Sequence, residues 1–389
     1  MTVRIPAVSS PAEVRRWALL PERLHTNKPG FIPALRSTAL AAMNHRRNPL
    51  HRHAHISHLL AIRDGMDVGR VSTTVHPAYN ERHGTSAGFF GFLDAVDDPE
   101  VYAALLDAAG TEVARHGVST LTGPYNYWSG DQFGVLLEKH DRPTAVFQTW
   151  NPSEVAHHLE RCGFTPRDEM RGYEISTAQR SAARTEVLDR ADRISRALGL
   201  VSRPMNRRRI DRDAGLIRDM FASSFASSAE VLPYPDDVLD DMFGQLRPLL
   251  DLDLVRFVER RGEPVGFSLT VPYLNELLAV WQGRITPIEM ARLRGRLSRV
   301  SGVVVLLLGV VPGSPMGIAP VLFADTLRAV EQNGYGSVHT TWVHGTNSAM
   351  HGLLSRFAGG GGLSTTGRCG RTLPHDSRNG GERVAWADT

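Results

Sequence analysis

Cysteine and long apolar runs are scarce in this chain of 389 residues. The two cysteines, Cys162 and Cys369, cannot form a disulfide framework, which favours a reducing cytoplasm. The longest apolar run, Val303–Val311, has the length of one strand and is far too short to span a bilayer. The opening residues contain no apolar stretch of signal-peptide length, and Pro6 and Pro11 interrupt them. We therefore expect a soluble cytoplasmic protein without a membrane partner.

Lysine is scarcer still, since it occurs only at Lys28 and Lys139. Arginine carries the remaining basic charge, and the formal net charge is +3. This preference is typical of a GC-rich, actinobacterial genome, although arginine also recognises anions through paired hydrogen bonds. The chain lacks the basic and aromatic stripe of a nucleic-acid binder, so we expect no nucleic-acid partner.

The sequence instead contains an ordered internal repeat. Gly65–Gly69 and Gly262–Gly266 lie 197 residues apart, and each lies between two apolar, strand-like runs that we expect to form a hairpin. Further on, predicted helices ending at Gly117 and Gly334 each lead into a strand. Self-similarity on this scale indicates duplication of one domain-sized α/β unit. We place the N-terminal domain at residues 1–178, the C-terminal domain at 179–374 and a flexible tail at 375–389.

Five segments carry a resemblance to a known family: Gly88–Phe92, Gly123–Tyr127 with Asp131, Gly283–Arg284, Leu306–Val311 and Thr346–Met350. They resemble the GNAT superfamily, the Gcn5-related acyltransferase fold, present twice in one chain. More closely, the chain resembles a bacterial family of about this length with two GNAT-like halves, and the similarity covers about 30–370. The resemblance implies an α/β fold of two GNAT-like domains related by internal duplication, each a mixed central sheet flanked by helices.

Acyltransferases of this superfamily hold the CoA pyrophosphate in a glycine-rich loop between the fourth strand and the next helix. The first half has no such loop, because its strand runs directly into the acids of Asp97–Pro99. The second half keeps the loop position but has no arginine there, and Pro315 and Pro320 lack an N–H group. The resemblance implies acetyl-CoA or another acyl-CoA as the donor and no metal. Its cofactor contacts would come from Val311, Gly313, Ser314, Gly317, Ile318 and Ala319.

The acid and base groups of such enzymes are absent from their usual places. Val303–Val311 has no titratable side chain, and the predicted last helix, Asn347–Phe357, has no tyrosine. Histidine is a suitable base because it titrates near neutrality. An alternating run from His51 to His55 would place three imidazoles on one strand face, but no acidic or cysteine partner clusters there. The candidate catalytic residues are Asp131, His344 and His55.

Two aromatic and polar segments, 125–131 and 342–347, follow corresponding strands of the two halves. Aromatic walls with a few polar groups suit a pocket for a small ligand. The alternatives are a packed turn in the first half and a helix cap in the second. In the superfamily, acceptor substrates often lie at the end of the third strand. The candidate substrate-binding residues are Tyr125, Asn126, Trp128, Trp342, Asn347, Asn275 and Arg284.

Three functions are compatible with these features. The first is acyl transfer from acyl-CoA to the amine of a small molecule, in secondary metabolism. The second is an enzyme of this fold that no longer uses CoA and promotes cyclisation or elimination with loss of sulfate or phosphate. Arginines such as Arg284 would bind that anionic leaving group. The third is a non-catalytic scaffold, for which the arginine-rich insertion 273–300 offers a surface. Besides the small molecule, a pathway protein or a second copy of the chain is a possible partner.

Overall fold

The computed structural model describes residues 2–127, 132–179, 181–224, 234–358 and 364–373, which form two sheets flanked by helices. The strands are β1 His55–Arg63, β2 Met66–Val75, β3 Ala87–Ala95, β4 Thr120–Gly123, β5 Val135–Leu136, β6 Thr165–Gly172, β7 Glu174–Ser176, β8 Leu200–Pro204, β9 Arg256–Arg260, β10 Glu263–Pro272, β11 Gly302–Val310, β12 Ser337–Thr340, β13 Val343–His344 and β14 Ser364–Thr372. The helices are α1 Pro11–His25, α2 Arg36–Ala42, α3 Pro77–His83, α4 Pro99–Ala114, α5 Glu154–Arg161, α6 Ala182–Leu198, α7 Ile210–Ser224, α8 Asp236–Leu246, α9 Asn275–Trp281, α10 Pro287–Ala291, α11 Leu293–Leu297, α12 Ile318–Gln332 and α13 Ser348–Ser355.

The two predicted hairpins are confirmed, and their turns have the same backbone geometry. Asp64 and Gly65 both have positive φ, 53° and 78°, in the two-residue turn between β1 and β2. Arg261 and Gly262 repeat this between β9 and β10, with φ of 54° and 85°. Two-residue turns with positive φ at both positions match the right-handed twist of the strands they join. The duplication therefore extends to the conformation of single residues.

Each half also contains a pair of parallel strands joined by a helix. β3 pairs in parallel with β4 after α4, and β11 pairs in parallel with β12 after α12. Leu105 of α4 and Leu322 of α12 are fully buried, so both helices place an apolar face against their sheet. These units confirm the predicted α/β class and place the end of each central strand at the start of a long helix.

The halves exchange strands at the centre of the molecule. The first sheet has the order β1-β2-β3-β4-β14-β6-β13, so the last strand of the chain lies between β4 and β6. The second sheet has the order β7-β12-β11-β10-β9-β8, so its edge strand comes from the first half. Only Tyr173 separates β6 from β7, and one stretch of chain therefore crosses from sheet to sheet. Neither sheet is built from one half alone.

The predicted histidine face is wrong. Pro49–Arg52 forms a single 3-10 turn, which Asn48 caps by accepting a hydrogen bond from the N–H of Leu50. His51 therefore lies in a turn, and only His55 begins β1. Among the described residues, no group of three His, Cys, Asp or Glu side chains could hold a metal ion. Within the same residues, no helix combines the length and apolarity needed to cross a membrane.

A truncation tests the strand exchange. A chain ending at residue 358 lacks β14 and leaves a gap between β4 and β6, where Cys369 is otherwise buried in the first core. We expect its melting temperature to fall by roughly 10 °C or more. The truncated chain loses the side-chain packing of β14 and its backbone hydrogen bonds to β4 and β6, which together stabilise the fold by several kcal/mol. Circular dichroism melts measure this, and hydrogen exchange should show loss of protection in β4. A chain ending at residue 374 keeps β14 and is the matched control. Equal stability of the two truncated chains would contradict the exchange.

Candidate functional site

The second sheet opens between β11 and β12. The two strands pair only over residues 302–305 and 337–340, although β11 continues to Val310. At the fork, Thr341 donates from its backbone N–H to the carbonyl of Val305 at 3.1 Å and from its hydroxyl to that of Leu306 at 3.0 Å. Beyond this point, residues 307–309 have ladder partners on β10 alone. One edge of β11 is therefore left to face a cavity.

This cavity has a volume of about 300 Å³ and mostly apolar walls. Leu306 and Leu308 of β11 form one side of it, and Trp342 and His344 form the opposite side. Helices α7, α8 and α13 enclose the remainder, contributing among others Met242 from α8. A concave apolar space with a few polar groups is the usual form of a small-ligand site. We take it as the candidate active site.

The first sheet is closed at the corresponding place. After the β3–β4 ladder ends, the N–H of Tyr125 donates to the carbonyl of Phe90 at 2.6 Å. The Asn126 side-chain oxygen accepts from the N–H of Phe92, also at 2.6 Å. A Cβ atom on Gly91 would lie 1.8 Å from the Tyr125 carbonyl oxygen, so only glycine permits this approach. The segment after β4 thus packs onto β3, so β3 and β4 do not separate as β11 and β12 do.

The helices that follow these strands begin differently. At α4, Asp98 accepts from the N–H of Glu100 at 2.8 Å, and its hydrogen bond to Arg63 lowers the pKa of the Asp98 carboxyl. At α12, Gly317 has φ of 101°, no side chain caps the helix, and its first turn contains no acid. The N–H groups of Ile318 and Ala319 lie in the first turn and have no partner within the helix. They can donate hydrogen bonds to an anion there, whereas carboxylates already occupy the start of α4.

The predicted cofactor loop lies where the sequence placed it, between β11 and α12. Its turn is closed by the N–H of Ser314, which donates to the carbonyl of Val311 at 3.1 Å. Gly317 packs closely against α6, where a Cβ atom would lie 3.0 Å from Ile194. Gly317 therefore has two reasons to be glycine, its positive φ and this contact. The loop offers N–H groups but no arginine, so any pyrophosphate would be held by backbone alone.

His344 lies on the wall of the cavity within a network that joins both halves. Its Nδ1 accepts from the N–H of Thr346 at 3.2 Å and lies 2.7 Å from the Thr346 hydroxyl. This arrangement leaves Nε2 to carry the proton, and Nε2 lies 3.4 Å from a carboxylate oxygen of Asp168 on β6. Asp168 also pairs with Arg368 of β14, which donates to the Tyr125 hydroxyl at 2.8 Å. The imidazole is thus oriented by a carboxylate, as in many acid–base sites.

A second pair of side chains fixes the backbone of His344. The hydroxyl of Tyr173 donates to Nδ1 of His351 at 2.6 Å. His351 in turn donates from Nε2 to the carbonyl of His344 at 3.0 Å. Tyr173 is buried, and burial raises the pKa of its hydroxyl. Tyr173, between β6 and β7, therefore positions His344 through His351.

Two more predicted residues lie on the wall of this cavity. The indole of Trp342 packs edge-to-face on Phe133, with ring centroids 4.5 Å apart. Asn347 contributes to the wall, and its side-chain oxygen also caps α13 by accepting from the N–H of Met350 at 3.1 Å. Asn347 therefore both lines the cavity and caps α13, and its role in substrate binding stays a prediction.

The other predicted site residues lie elsewhere. Asn275 is buried and donates to the carbonyl of Thr144, which ties α9 to the first half. Arg284 is exposed, and His55 is an exposed residue stacked on His116 at 4.4 Å. Tyr125 and Asn126 hold the closed end of the first sheet, as described above. Of these residues, Tyr125 alone reaches the network of His344, through Arg368 and Asp168. Trp128 and Asp131 lie outside the described residues.

Sequence reasoning missed Asp168 and Arg368. The two residues lie 200 positions apart and meet only because β14 enters the first sheet. No local pattern marks either of them as a site residue. The sequence offered one weak signal for this pair, an acidic residue and an arginine that each lie in a strand-like segment of alternating polar residues.

No family model matches the chain. Two curated proteins are similar to it over most of their length. "Bacterial ceramide synthase" of Caulobacter vibrioides is 28% identical over 363 residues, which is 90% of this chain and 93% of that protein. "Protein YghO" of Escherichia coli is 26% identical over 358 residues, 89% of each chain.

Solved structures resemble it in fold. A tandem GNAT protein from the clavulanic acid biosynthesis pathway has a TM-score of 0.55 at 11% identity, covering 96% of this chain and all of that one. A GCN5-related N-acetyltransferase from Sphaerobacter thermophilus has a TM-score of 0.51 at 12% identity, covering 95% and 96%. The chain therefore has a tandem GNAT fold, the acetyltransferase architecture that the sequence resemblance implied.

Proposed function

We propose that this protein is an N-acyltransferase that joins a fatty acyl group to the primary amine of a long-chain amino alcohol. The observation that carries the proposal is the apolar cavity at the opening between β11 and β12. A ceramide is the amide of a fatty acid and a long-chain amino alcohol, and a relative 28% identical over 90% of this chain is named a ceramide synthase. An apolar space beside a GNAT donor loop suits a substrate of that chemistry.

Acyl-CoA is the donor that the local geometry fits best. The uncapped start of α12, at Ile318 and Ala319, suits the pyrophosphate. The free edge of β11 at Leu307–Gly309 offers backbone groups to the amides of the pantetheine arm, in the manner of an added strand. The acyl chain would then extend into the apolar cavity.

In this proposal His344 is the general base. Its Nδ1 takes a proton from the amine by way of the Thr346 hydroxyl, 2.7 Å away, and the Asp168 carboxylate stabilises the resulting imidazolium. This proton transfer accompanies the attack of the neutral amine on the thioester carbonyl, so that a C–N bond forms as the N–H and C–S bonds break. The thiolate of CoA leaves and takes the proton from the imidazolium, which gives an amide and free CoA.

No observation favours the two other functions. The route with loss of sulfate or phosphate relied on arginines such as Arg284, and Arg284 is exposed outside the cavity. A pure scaffold would not require the oriented imidazole of His344. The proposed substrate places the protein in lipid metabolism instead of secondary metabolism.

An assay of purified protein with two donors and two acceptors tests the proposal. We expect thiol release and amide formation with palmitoyl-CoA and sphinganine, at a kcat/KM at least about tenfold above that with acetyl-CoA and a three-carbon amino alcohol, because each buried CH₂ contributes about 0.8 kcal/mol. Met242→Trp should narrow the cavity and remove most of this preference. Met66→Trp, at an exposed position outside it, is the matched control. Equal rates with both donors, or no thiol release at all, would refute the proposal.

Replacing His344 tests the proposed base. His344→Gln keeps a neutral hydrogen-bonding side chain but cannot take up a proton, so kcat/KM should fall by about 10² to 10⁴. Asp168→Asn should lower it less, because the imidazole remains. The melting temperature of both variants should stay close to that of the unaltered protein. His55→Gln, at an exposed position away from the cavity, should retain full activity. If His344→Gln kept more than half of the activity, another group would be the base.

A further inference from the structure

The insertion in the second half forms helices α9–α11 and concentrates the positive charge of the protein. Residues 284–299 contain the five arginines Arg284, Arg292, Arg294, Arg296 and Arg299 and a single acid, Glu289. This segment has a net charge of +4, whereas the whole chain has +3. The remainder of the protein is therefore slightly acidic, and its basic character resides in this insertion.

These arginines are not neutralised by carboxylates. Among the described residues, none of the five lies within ion-pair distance of an acid, in contrast to Arg203, Arg256 and Arg368. Four of the five are exposed, and Arg296 is half-buried. Glu289 is occupied by the cap of α10, where its carboxylate accepts from the N–H of Thr286 at 2.9 Å. Apart from the electrostatic interaction of half-buried Arg296 with Glu289, the charges of the segment thus have no carboxylate partner within the described ranges.

Apolar side chains are exposed on the same helices. Val280 is 67% exposed, Ile288 63% and Met290 52%. They are three of the seven large apolar side chains that are exposed in the described part of the chain, and the other four are scattered singly. Three exposed apolar side chains within eleven residues indicate an interaction surface, whereas single ones are ordinary.

The insertion is anchored firmly beneath this surface. Trp281, Leu297 and Val300 are buried in a cluster that also contacts Leu35 of the first half. The carbonyl of Gly283 accepts from the N–H of Arg36 at 2.9 Å. The exposed arginine and apolar side chains are therefore presented from a fixed platform.

We propose that the outer surface of α9–α11 docks the protein on an anionic lipid bilayer. Arginines would pair with lipid phosphates while Val280, Ile288 and Met290 enter the interfacial region. A second copy of this surface would be repelled by its like charge. A nucleic acid would bind the arginines but would gain no affinity from the exposed apolar side chains. The proposal replaces the expectation of no membrane partner, and it stands independently of the acyl-transfer proposal.

Co-sedimentation of the full-length protein with vesicles tests this docking. We expect binding to phosphatidylcholine vesicles with about a third phosphatidylglycerol, and little to phosphatidylcholine alone. Arg292→Glu with Arg294→Glu should weaken it at least about tenfold, since each basic residue near the surface contributes about 1 kcal/mol. Val280→Ser, Ile288→Ser and Met290→Ser together should weaken it by about as much, through lost apolar insertion.

Matched controls lie elsewhere on the surface. Arg208→Glu with Arg209→Glu changes the charge equally at exposed positions, and Met66→Ser with Val201→Ser alters two side chains that are each 61% exposed. Both controls should bind as the unaltered protein does.

Equal binding to neutral and anionic vesicles, or an equal loss of binding in the charge control, would overturn the proposal. Loss from the arginine variant alone would indicate a polyanion such as nucleic acid. A dimer that light scattering shows to dissociate in the serine variant would indicate a second copy instead. Either result would also overturn it.

Discussion

The crossing of the chain between the two sheets at Tyr173 is the constraint on which the candidate site depends. β6 lies in the first sheet, β7 follows it directly in the second, and β14 returns to the first. Asp168 of β6 therefore lies beside Arg368 of β14. Asp168 then faces His344, while Tyr173 holds the backbone of His344 through His351. The contacts of Asp168 with Arg368 and with His344, and that of Tyr173 with His351, each join residues more than 170 positions apart. An independent second domain would retain most of the cavity wall, but not Phe147 or the carboxylate that orients its imidazole.

The two copies have taken opposite roles. In the first, Gly91 allows the chain after β4 to close over β3, and Asp98 occupies the start of the next helix. In the second, the strands separate at Thr341 and the helix begins without a cap at Gly317. Under the proposed function, the second copy binds the ligand and the first supplies support. The same α/β unit serves both purposes because the ends of its central strands differ between the two copies.

Sequence patterns predicted the local features well, including both hairpins, α4 and α12, and the position of the loop 311–319. These depend on periodicity, turn residues and caps, which are encoded within a few positions. β14 and the pairing of Asp168 with Arg368 were not predictable in this way, because they require contacts 200 residues apart. The histidine alternation failed because Pro49 begins a helical turn where a strand was expected. Arg284 and His55 were chosen by residue type, and their exposure is set by tertiary packing.

Hydrogen exchange with a non-hydrolysable thioether analogue of palmitoyl-CoA is the most direct test of the division of roles between the two copies. We expect the analogue to slow exchange at the backbone amides of Leu307–Gly309 and of Ile318 and Ala319, where the second copy is open. The corresponding amides of the first copy, from Phe90 to Glu100, should exchange as they do without ligand. Protection in the first copy, or no protection at α12, would contradict the account.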